Sequence, residues 1–375
     1  MRIAINVRLL VPGKMDGIGW FTYETTRRLV QSHPEHQFLL LFDRHPDPRF
    51  NFGDNAHSFV LPPPARHPVL WWFFFEISIP IFLGIKKVDI FISPDGFIPL
   101  HTHIPTLSII HDINFAHSND NLRPSHQKFM AHFFPRYARL ATRVATVSEY
   151  SRRDIAATYG IASEKIDVVY DGAASSYRPH SKEEQSATRQ RFTQGQPYLL
   201  FVSTILKRKN LANLLLAFDR IKDNGQENLK LVVVGNRVWW AEELSSAYNS
   251  MRHRDDVIMP GHLEPDDLAS LMSAAQALVY PSFFEGFGIP ILEAMYAETA
   301  VICSNTTSMP EVGGDAALYI DPSDVESISH AISRIADEKL RSELIAKGRI
   351  QREKYSWDKT SEALWNSILK TTNSQ

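Results

Sequence analysis

One cysteine in 375 residues, Cys303, leaves no internal disulfide framework and fits a reducing compartment such as the cytosol. It lies in an apolar, strand-like run and reads as a small core residue rather than a nucleophile. Neither sign of charge dominates: 40 Lys and Arg face 42 Asp and Glu, so a bulk attraction to nucleic acid is not expected. Asp-x-Asp occurs nowhere, and no His/Cys cluster has the spacing of metal ligands. Neither a metal nor a cofactor is expected. Long clean apolar runs are lacking too. The segment Val69-Leu-Trp-Trp-Phe-Phe-Phe75, continuing through Ile77-Ser-Ile-Pro80 to Leu83, is interrupted by Glu76 and Pro80. It falls short of the roughly 20 apolar residues that span a bilayer. A core helix is its first reading. The alternative is a face that touches a lipid-linked acceptor or the membrane surface, helped by Arg66, Lys86 and Lys87. Met1 to Arg8 reads as a first strand with no signal-like region behind it, so a cytoplasmic chain is expected, with a peripheral contact at the inner membrane face as the alternative.

What is present is the composition of a soluble globular protein, 44% hydrophobic and 22% charged. The length suits two domains better than one core. Short apolar runs alternate with helix-like stretches, the pattern of α/β architecture with parallel sheets covered on both faces. Strands are expected at 2–7, 37–42, 88–92, 105–110, 143–147 and 166–170, then at 198–203, 229–234, 256–259, 277–280, 300–303 and 317–320. Leu211–Ile221 and Leu268–Ala275 carry the clearest helical periodicity. The polar stretch 176–196 reads as an interdomain linker with a short helix, which places one doubly wound domain at 1–175 and a second at 197–356, followed by a terminal helix at 357–375. Two such domains would leave a cleft at the carboxyl ends of their strands, where ligands of open α/β sheets bind.

The most informative string is Glu285-Gly-Phe-Gly-Ile-Pro-Ile-Leu-Glu293, which follows the strand-like Ala277-Leu-Val-Tyr280 and a Pro281-Ser282 turn. Gly286 and Gly288 let a ligand approach the main chain. Pro290 suits the first turn of a helix, whose start would aim amides and partial positive charge at an anion over the loop around Phe287 and Ile289. Carboxylates on either side would repel that anion, so they suit sugar hydroxyls flanking it. Ribose, diphosphate and hexose in a nucleotide sugar have this layout. As a local structure alone, Glu293 would be an acid that stabilises a helix start.

This segment resembles the E-x7-E motif of retaining glycosyltransferases of family 4, which have the two-domain GT-B fold of Rossmann-like doubly wound domains. The resemblance implies that Glu293 binds the donor ribose and that Glu285 faces the donor sugar near its C3 hydroxyl. Ser203-Thr-Ile-Leu-Lys-Arg208-Lys209-Asn210 is similar to the basic segment of the same family, where the pair corresponding to Arg208 and Lys209 holds the donor phosphates. Two cations at a strand end suit that task on charge grounds. Ser203 departs from the Gly common there. Asp16-Gly17-Ile18-Gly19 lacks the third glycine of a dinucleotide fingerprint, Thr22 standing in its place. It resembles the family's Gly-Ile-Gly loop over the donor phosphates, which makes Gly17 and Gly19 donor-binding candidates. Ile109-Ile110-His111-Asp112 matches a His-Asp pair whose His lies near the transferred sugar; a satisfied core histidine is the alternative. Val147-Ser148-Glu149-Tyr150-Ser151 reads as a helix start capped by Ser148.

Gly235-Asn-Arg-Val-Trp-Trp240 and Gly261-His262-Leu263 look like the base-side loops of the family. Glu298 and Ala300 replace its usual Gly and Pro beyond the second glutamate, where altered packing is expected. The implied reaction is retaining transfer of a hexose from a nucleotide diphosphate sugar, GDP-mannose first, to a saccharide or lipid-linked acceptor of surface polysaccharide. Glu285, His111, Arg208 and Lys209 are the implied catalytic set. A phosphorylase or epimerase on the same architecture, or a non-catalytic nucleotide-sugar-binding module, are the alternatives.

Overall fold

The computed structural model describes residues 1–118, 123–236 and 242–373. The chain divides into two compact units, Met1–Asp171 with Trp357–Gln375, and Gly172–Ser356.

The first unit is built on seven parallel strands: β1 (Arg2–Asn6), β2 (Gln37–Phe42), β3 (Ala56–Val60), β4 (Ile90–Ser93), β5 (Thr106–Ile109), β6 (Arg143–Thr146) and β7 (Ile166–Val168). Their order is β3-β2-β1-β4-β5-β6-β7. The chain starts in the middle, runs outward to β3, then returns beside β1, so the order reverses between β1 and β4. β4 and β5 are buried along their whole length, as expected for a parallel sheet covered on both faces. Ala56–Val60 is a strand that the hydrophobic pattern misses: it is an edge strand, mostly open to solvent, in the short polar-interrupted string Ala-His-Ser-Phe-Val.

In the second unit, six parallel strands follow: β8 (Tyr198–Val202), β9 (Lys230–Val234), β10 (Val257–Gly261), β11 (Ala277–Tyr280), β12 (Ala300–Ser304) and β13 (Ala317–Ile320). They are ordered β10-β9-β8-β11-β12-β13, and Ala277 and Leu278 pair with Leu199 and Leu200. Here the order reverses between β8 and β11. Leu199, Phe201, Leu231, Val233, Val279 and Ile302 form the sheet side of a core closed by Leu214, Leu215, Phe218 and Ile221 of helix Leu211–Asp223.

Residues 176–196, expected as a linker, lie inside the second unit, which starts at Gly172. Helix Lys182–Thr193 opens with a capping box between Ser181 and Glu184. The Arg189 guanidinium donates to the Ala274 carbonyl at 2.9 Å, Arg191 pairs with Asp267, and the His180 amide donates to Ser273 Oγ at 2.9 Å. Polar bonds dock this helix, which is why its sequence shows no apolar stripe. Helix Trp357–Thr372 belongs to the first unit: Thr360 Oγ1 donates to the Tyr170 carbonyl at 2.6 Å, and Lys370 pairs with Asp167 at 2.8 Å. Glu298 ends helix Ile289–Tyr296 in the left-handed region (φ 59°), a conformation suited to glycine, and its carboxylate is held by Arg349 and Arg352.

Candidate active site

The reversal of strand order between β8 and β11 brings together two loops far apart in sequence, at the place where open α/β sheets bind ligands. After β8 comes the basic segment, a short 3-10 turn at Lys207–Lys209 that ends with Asn210 in the left-handed region (φ 60°). The Asn210 amide nitrogen donates to the carbonyls of Pro281 and Pro322 at 2.9 and 2.6 Å. The Phe283 amide donates to the Arg208 carbonyl at 2.8 Å. These bonds clamp the basic turn onto the loop after β11.

Within this clamp the side chains of Arg208 and Lys209 meet Glu285. Lys209 Nζ lies 2.5 Å from Glu285 Oε1 and donates to the Tyr280 hydroxyl at 3.0 Å. Arg208 donates to Glu285 Oε2 at 3.1 Å and to the Phe284 carbonyl at 2.8 Å. Glu285 and Lys209 are buried. Burial alone would raise the Glu285 pKa, but the charges of Lys209 and Arg208 and the bond from Lys209 outweigh it and hold the group down to about 2. Two cations against one carboxylate leave one net positive charge, which a phosphate group can share. The main chain of the loop is braced as well. The Glu285 amide donates to Thr307 Oγ1 at 3.2 Å, and Ser308 Oγ bridges the carbonyls of Glu285 and Phe287 at 2.9 and 2.8 Å.

Gly286 and Phe287 are buried, and the Phe287 ring packs edge-on against Tyr355 at 5.5 Å. Gly288 takes φ 108° at the N-cap of helix Ile289–Tyr296, with Pro290 in the first turn and no side-chain cap. Glu293 sits one turn further along, half-buried and without a cation partner in the structure's ion pairs among the described residues. Burial raises its pKa to about 7, opposed by a hydrogen bond from the Tyr177 hydroxyl. Tyr177 is itself buried, and its own ionisation is pushed far up by burial and by Glu293.

Gly235 closes β9 at φ 148°, and a Cβ there would stand 1.8 Å from the Ser203 carbonyl oxygen. Only glycine lets the β8 and β9 loops pass at that point. Its amide donates to the Gly261 carbonyl at 3.0 Å, so both glycines sit at the same edge of the sheet as the basic turn. His262 is exposed and Leu263 half-buried beyond β10. Arg237 to Trp240, the rest of the first base-side loop, lie outside the described residues.

Gly17, Gly19 and His111 belong to the first unit. Gly17 and Gly19 form the first turn of helix Gly17–Ser32 rather than an open loop, and the Gly19 amide is taken by the capping carboxylate of Asp16 at 3.1 Å. His111 follows β5, its ring edge-on to Phe21 at 4.8 Å and its Nε2 2.9 Å from the Pro94 carbonyl. That bond puts the proton on Nε2 and leaves Nδ1 as an acceptor. Burial lowers the His111 pKa despite the nearby carboxylates of Asp112, Asp16 and Asp95, so the ring is neutral at pH 7. Ser148 caps helix Glu149–Tyr159 by accepting from the Ser151 amide at 3.0 Å.

Tyr177, Tyr280, Thr307 and Ser308 are site residues that the sequence does not announce. Tyr280 stands at the carboxyl end of an expected strand, a positional signal that could have found it. Tyr177 has none.

The first part of the chain, residues 15–175, matches the model of Glycosyltransferase Family 4, and residues 182–351 match that of Glycosyl transferases group 1. The chain is similar to O-antigen chain mannosyltransferase B of Escherichia coli, 31% identical over 72% of each chain. It is also similar to the O-antigen chain mannosyltransferase RfbU of Salmonella typhimurium, 29% identical over 72% of this chain and 71% of that one. Among solved structures, the Anabaena protein HepE in complex with UDP and glucose matches with a TM-score of 0.75 at 16% identity, covering 98% of this chain and 99% of that chain. WaaG, a glycosyltransferase involved in lipopolysaccharide biosynthesis, matches at 0.74 and 15%, with the same coverage.

Proposed function

The chain belongs to the family 4, group 1 glycosyltransferases and has the GT-B fold; on that premise we propose that it moves a hexose, mannose first, from a nucleotide diphosphate sugar to a saccharide or lipid-linked acceptor in surface-polysaccharide synthesis. The observation that carries the reading is the cluster of Glu285, Arg208 and Lys209, set where the strand order reverses and next to an uncapped helix start that leads to Glu293. The mannosyltransferase relatives support mannose, and with it GDP-mannose as donor. The acceptor is met at the cytoplasmic face of the membrane.

The net positive charge of Arg208 and Lys209, with the helix start at Ile289, stabilises the nucleotide diphosphate as negative charge grows on its leaving oxygen. Glu285, ionised and rigidly held, orients the hexose hydroxyls and offsets positive charge on the anomeric carbon. Glu293 accepts from the ribose hydroxyls. The neutral His111 offers Nδ1 as an acceptor to a sugar hydroxyl. The acceptor hydroxyl attacks on the face that the leaving group departs from, and its proton passes to the leaving phosphate oxygen, so the configuration is retained without a separate base. The two cations stand where a divalent ion would otherwise be needed, and transfer proceeds in chelator.

Binding and hydrolysis of GDP-mannose, UDP-glucose, UDP-N-acetylglucosamine and dTDP-rhamnose, measured with chelator on the wild type and Glu293→Ala, test this. Selective use of GDP-mannose, weakened by the substitution, is expected. Failure of every donor overturns the reading, preference for another donor overturns mannose, and activity that returns only with added metal overturns metal independence.

A further inference from the structure

Glu285 is the carboxylate that the proposed transfer needs for the hexose, yet both of its oxygens are already taken by the protein. Oε1 accepts from Lys209 Nζ at 2.5 Å, and Oε2 from the Arg208 guanidinium at 3.1 Å. The hydroxyls of Tyr280 and Ser282, both buried, line the same carboxylate. Only 8% of the Glu285 side chain is open to solvent. A carboxylate offers about four acceptor positions, and here protein donors surround them. A hexose hydroxyl reaches Glu285 only where one of those donors withdraws.

The surroundings decide which one. The Glu285 main chain is fixed, its amide on Thr307 Oγ1 and its carbonyl on Ser308 Oγ. Lys209 is fixed too: Nζ bonds Glu285 and the Tyr280 hydroxyl at once, stands 5.3 Å from the centre of the Tyr280 ring, and belongs to a side chain only 10% exposed. Arg208 is held less firmly. Its bond to Glu285 is the longer of the two, its side chain is 22% exposed, and it also bonds the neutral Phe284 carbonyl at 2.8 Å. The Phe283 amide pins the Arg208 carbonyl, so the guanidinium end swings while the main chain stays.

Charge gives it a reason to swing. Lys209 alone neutralises the single charge of Glu285, which makes Arg208 the surplus cation of the cluster. A diphosphate carries more than one negative charge and presents an oxygen edge that fits the planar fork of a guanidinium. With no diphosphate at hand, withdrawing Arg208 leaves a buried carboxylate oxygen short of a donor, which is unfavourable, so the contact stays closed. We propose that Arg208 is a latch on Glu285: a nucleoside diphosphate draws the guanidinium off Oε2, and only then does Oε2 accept from a hexose hydroxyl. The site thereby selects a hexose that arrives with a nucleoside diphosphate over a free hexose, which finds Glu285 closed. The two halves of the donor bind cooperatively, each favouring the other by the same factor. This role of Arg208 rests on the donor reading proposed above and adds a condition to it.

The test uses the two halves of the donor as separate probes on the full chain, D-mannose with GDP, and D-glucose with UDP as a second pair. Hexose affinity is read by saturation-transfer NMR with and without saturating nucleotide. In the wild type the nucleotide should tighten hexose binding roughly 10- to 100-fold, the worth of a hydrogen bond to a charged group. In Arg208→Ala, hexose alone should bind more tightly than to the wild type, nucleotide less tightly, and the coupling should vanish. Opposite shifts for two ligands in one variant mark a latch, because lost packing weakens both. Arg208→Lys keeps a cation there, and its coupling should fall between the other two. Should Arg208→Ala not fold, Arg208→Lys carries the test, with unchanged coupling overturning the latch. Equal hexose affinity with and without nucleotide in the wild type overturns it, and so does an Arg208→Ala protein that keeps the coupling or binds hexose no better. Failure of GDP and UDP to bind at all is a different result, since it overturns the donor reading itself.

Discussion

Glu285 and Glu293 stand eight positions apart on one strand-loop-helix unit, and their surroundings push them in opposite directions. Glu285 lies in the loop after β11, between Arg208 and Lys209, and stays ionised down to about pH 2. Glu293 lies on the following helix, with a tyrosine hydroxyl instead of a cation, and titrates near pH 7. The same side chain thus serves as a fixed charge in one place and as a group of variable charge in the other. A nucleotide sugar calls for both: a permanent anion beside a carbon that becomes positive, and a hydroxyl acceptor close to a diphosphate, where a permanent charge would repel.

The largest test of this contrast removes one of the cations. Lys209→Ala leaves the buried Glu285 with Arg208 alone, and a loss of about 4 kcal/mol in unfolding free energy is expected in urea titrations. Transfer should also be lost. Adding Glu285→Leu to Lys209→Met should restore most of the stability and none of the activity. A stable Lys209→Ala protein would show that Glu285 is not held by charge.

A second, somewhat smaller effect follows from Glu293. Its folded pKa of about 7 lies above the ordinary value of 4.5, so between these values the folded state binds more protons than the unfolded chain, and stability falls as pH rises. The window is worth about 3 kcal/mol. Glu285 acts in the reverse sense: its depressed pKa contributes stability above pH 4.5 that is lost as pH falls toward 2. Thermal unfolding of the wild type and Glu293→Gln from pH 5 to 8 checks the first slope, which the substitution should flatten. An unchanged slope would assign it to another group.

Most of the fold can be read along the chain, and so can the two ends of the site. Twelve of the thirteen strands among the described residues coincide with apolar runs, and those buried along their whole length, such as Ile90–Ser93 and Ala277–Tyr280, could not do without one. The missed strand, Ala56–Val60, is an edge with most of its side chains in water, and nothing local distinguishes it from a loop. Gly17 and Gly19 resemble a phosphate loop in sequence, yet Asp16 captures the Gly19 amide and starts a helix there. Asp followed by glycines serves either purpose in sequence. Tyr177 was beyond reach, since it meets Glu293 across 116 positions.

That contact supplies a finer test. Tyr177→Phe removes the hydrogen bond that favours the Glu293 carboxylate, at a cost of about 1 kcal/mol. The Glu293 midpoint should move upward, seen as an upward shift in the pH dependence of donor binding. A simple loss of affinity with no shift would make Tyr177 a packing residue. The smallest effect belongs to Thr307, a β-branched residue in the left-handed region (φ 57°) that accepts from the Glu285 amide. Thr307→Gly relieves the backbone and loses the acceptor, so stability should change by less than about 1 kcal/mol. A larger loss would show that the hydroxyl is what holds the Glu285 main chain.

The sequence by itself determined the elements, the two parallel sheets and the glutamate string that marks the family, because periodicity, turn residues and short motifs act within a few residues of one another. Tertiary structure alone decided which charges meet. Arg208 and Lys209 reach Glu285 across 77 and 76 positions only because β8 and β11 become neighbours where the strand order reverses. It also decided which face of the helical run Pro68–Lys86 remains open, since both faces are apolar in sequence and only packing buries one of them.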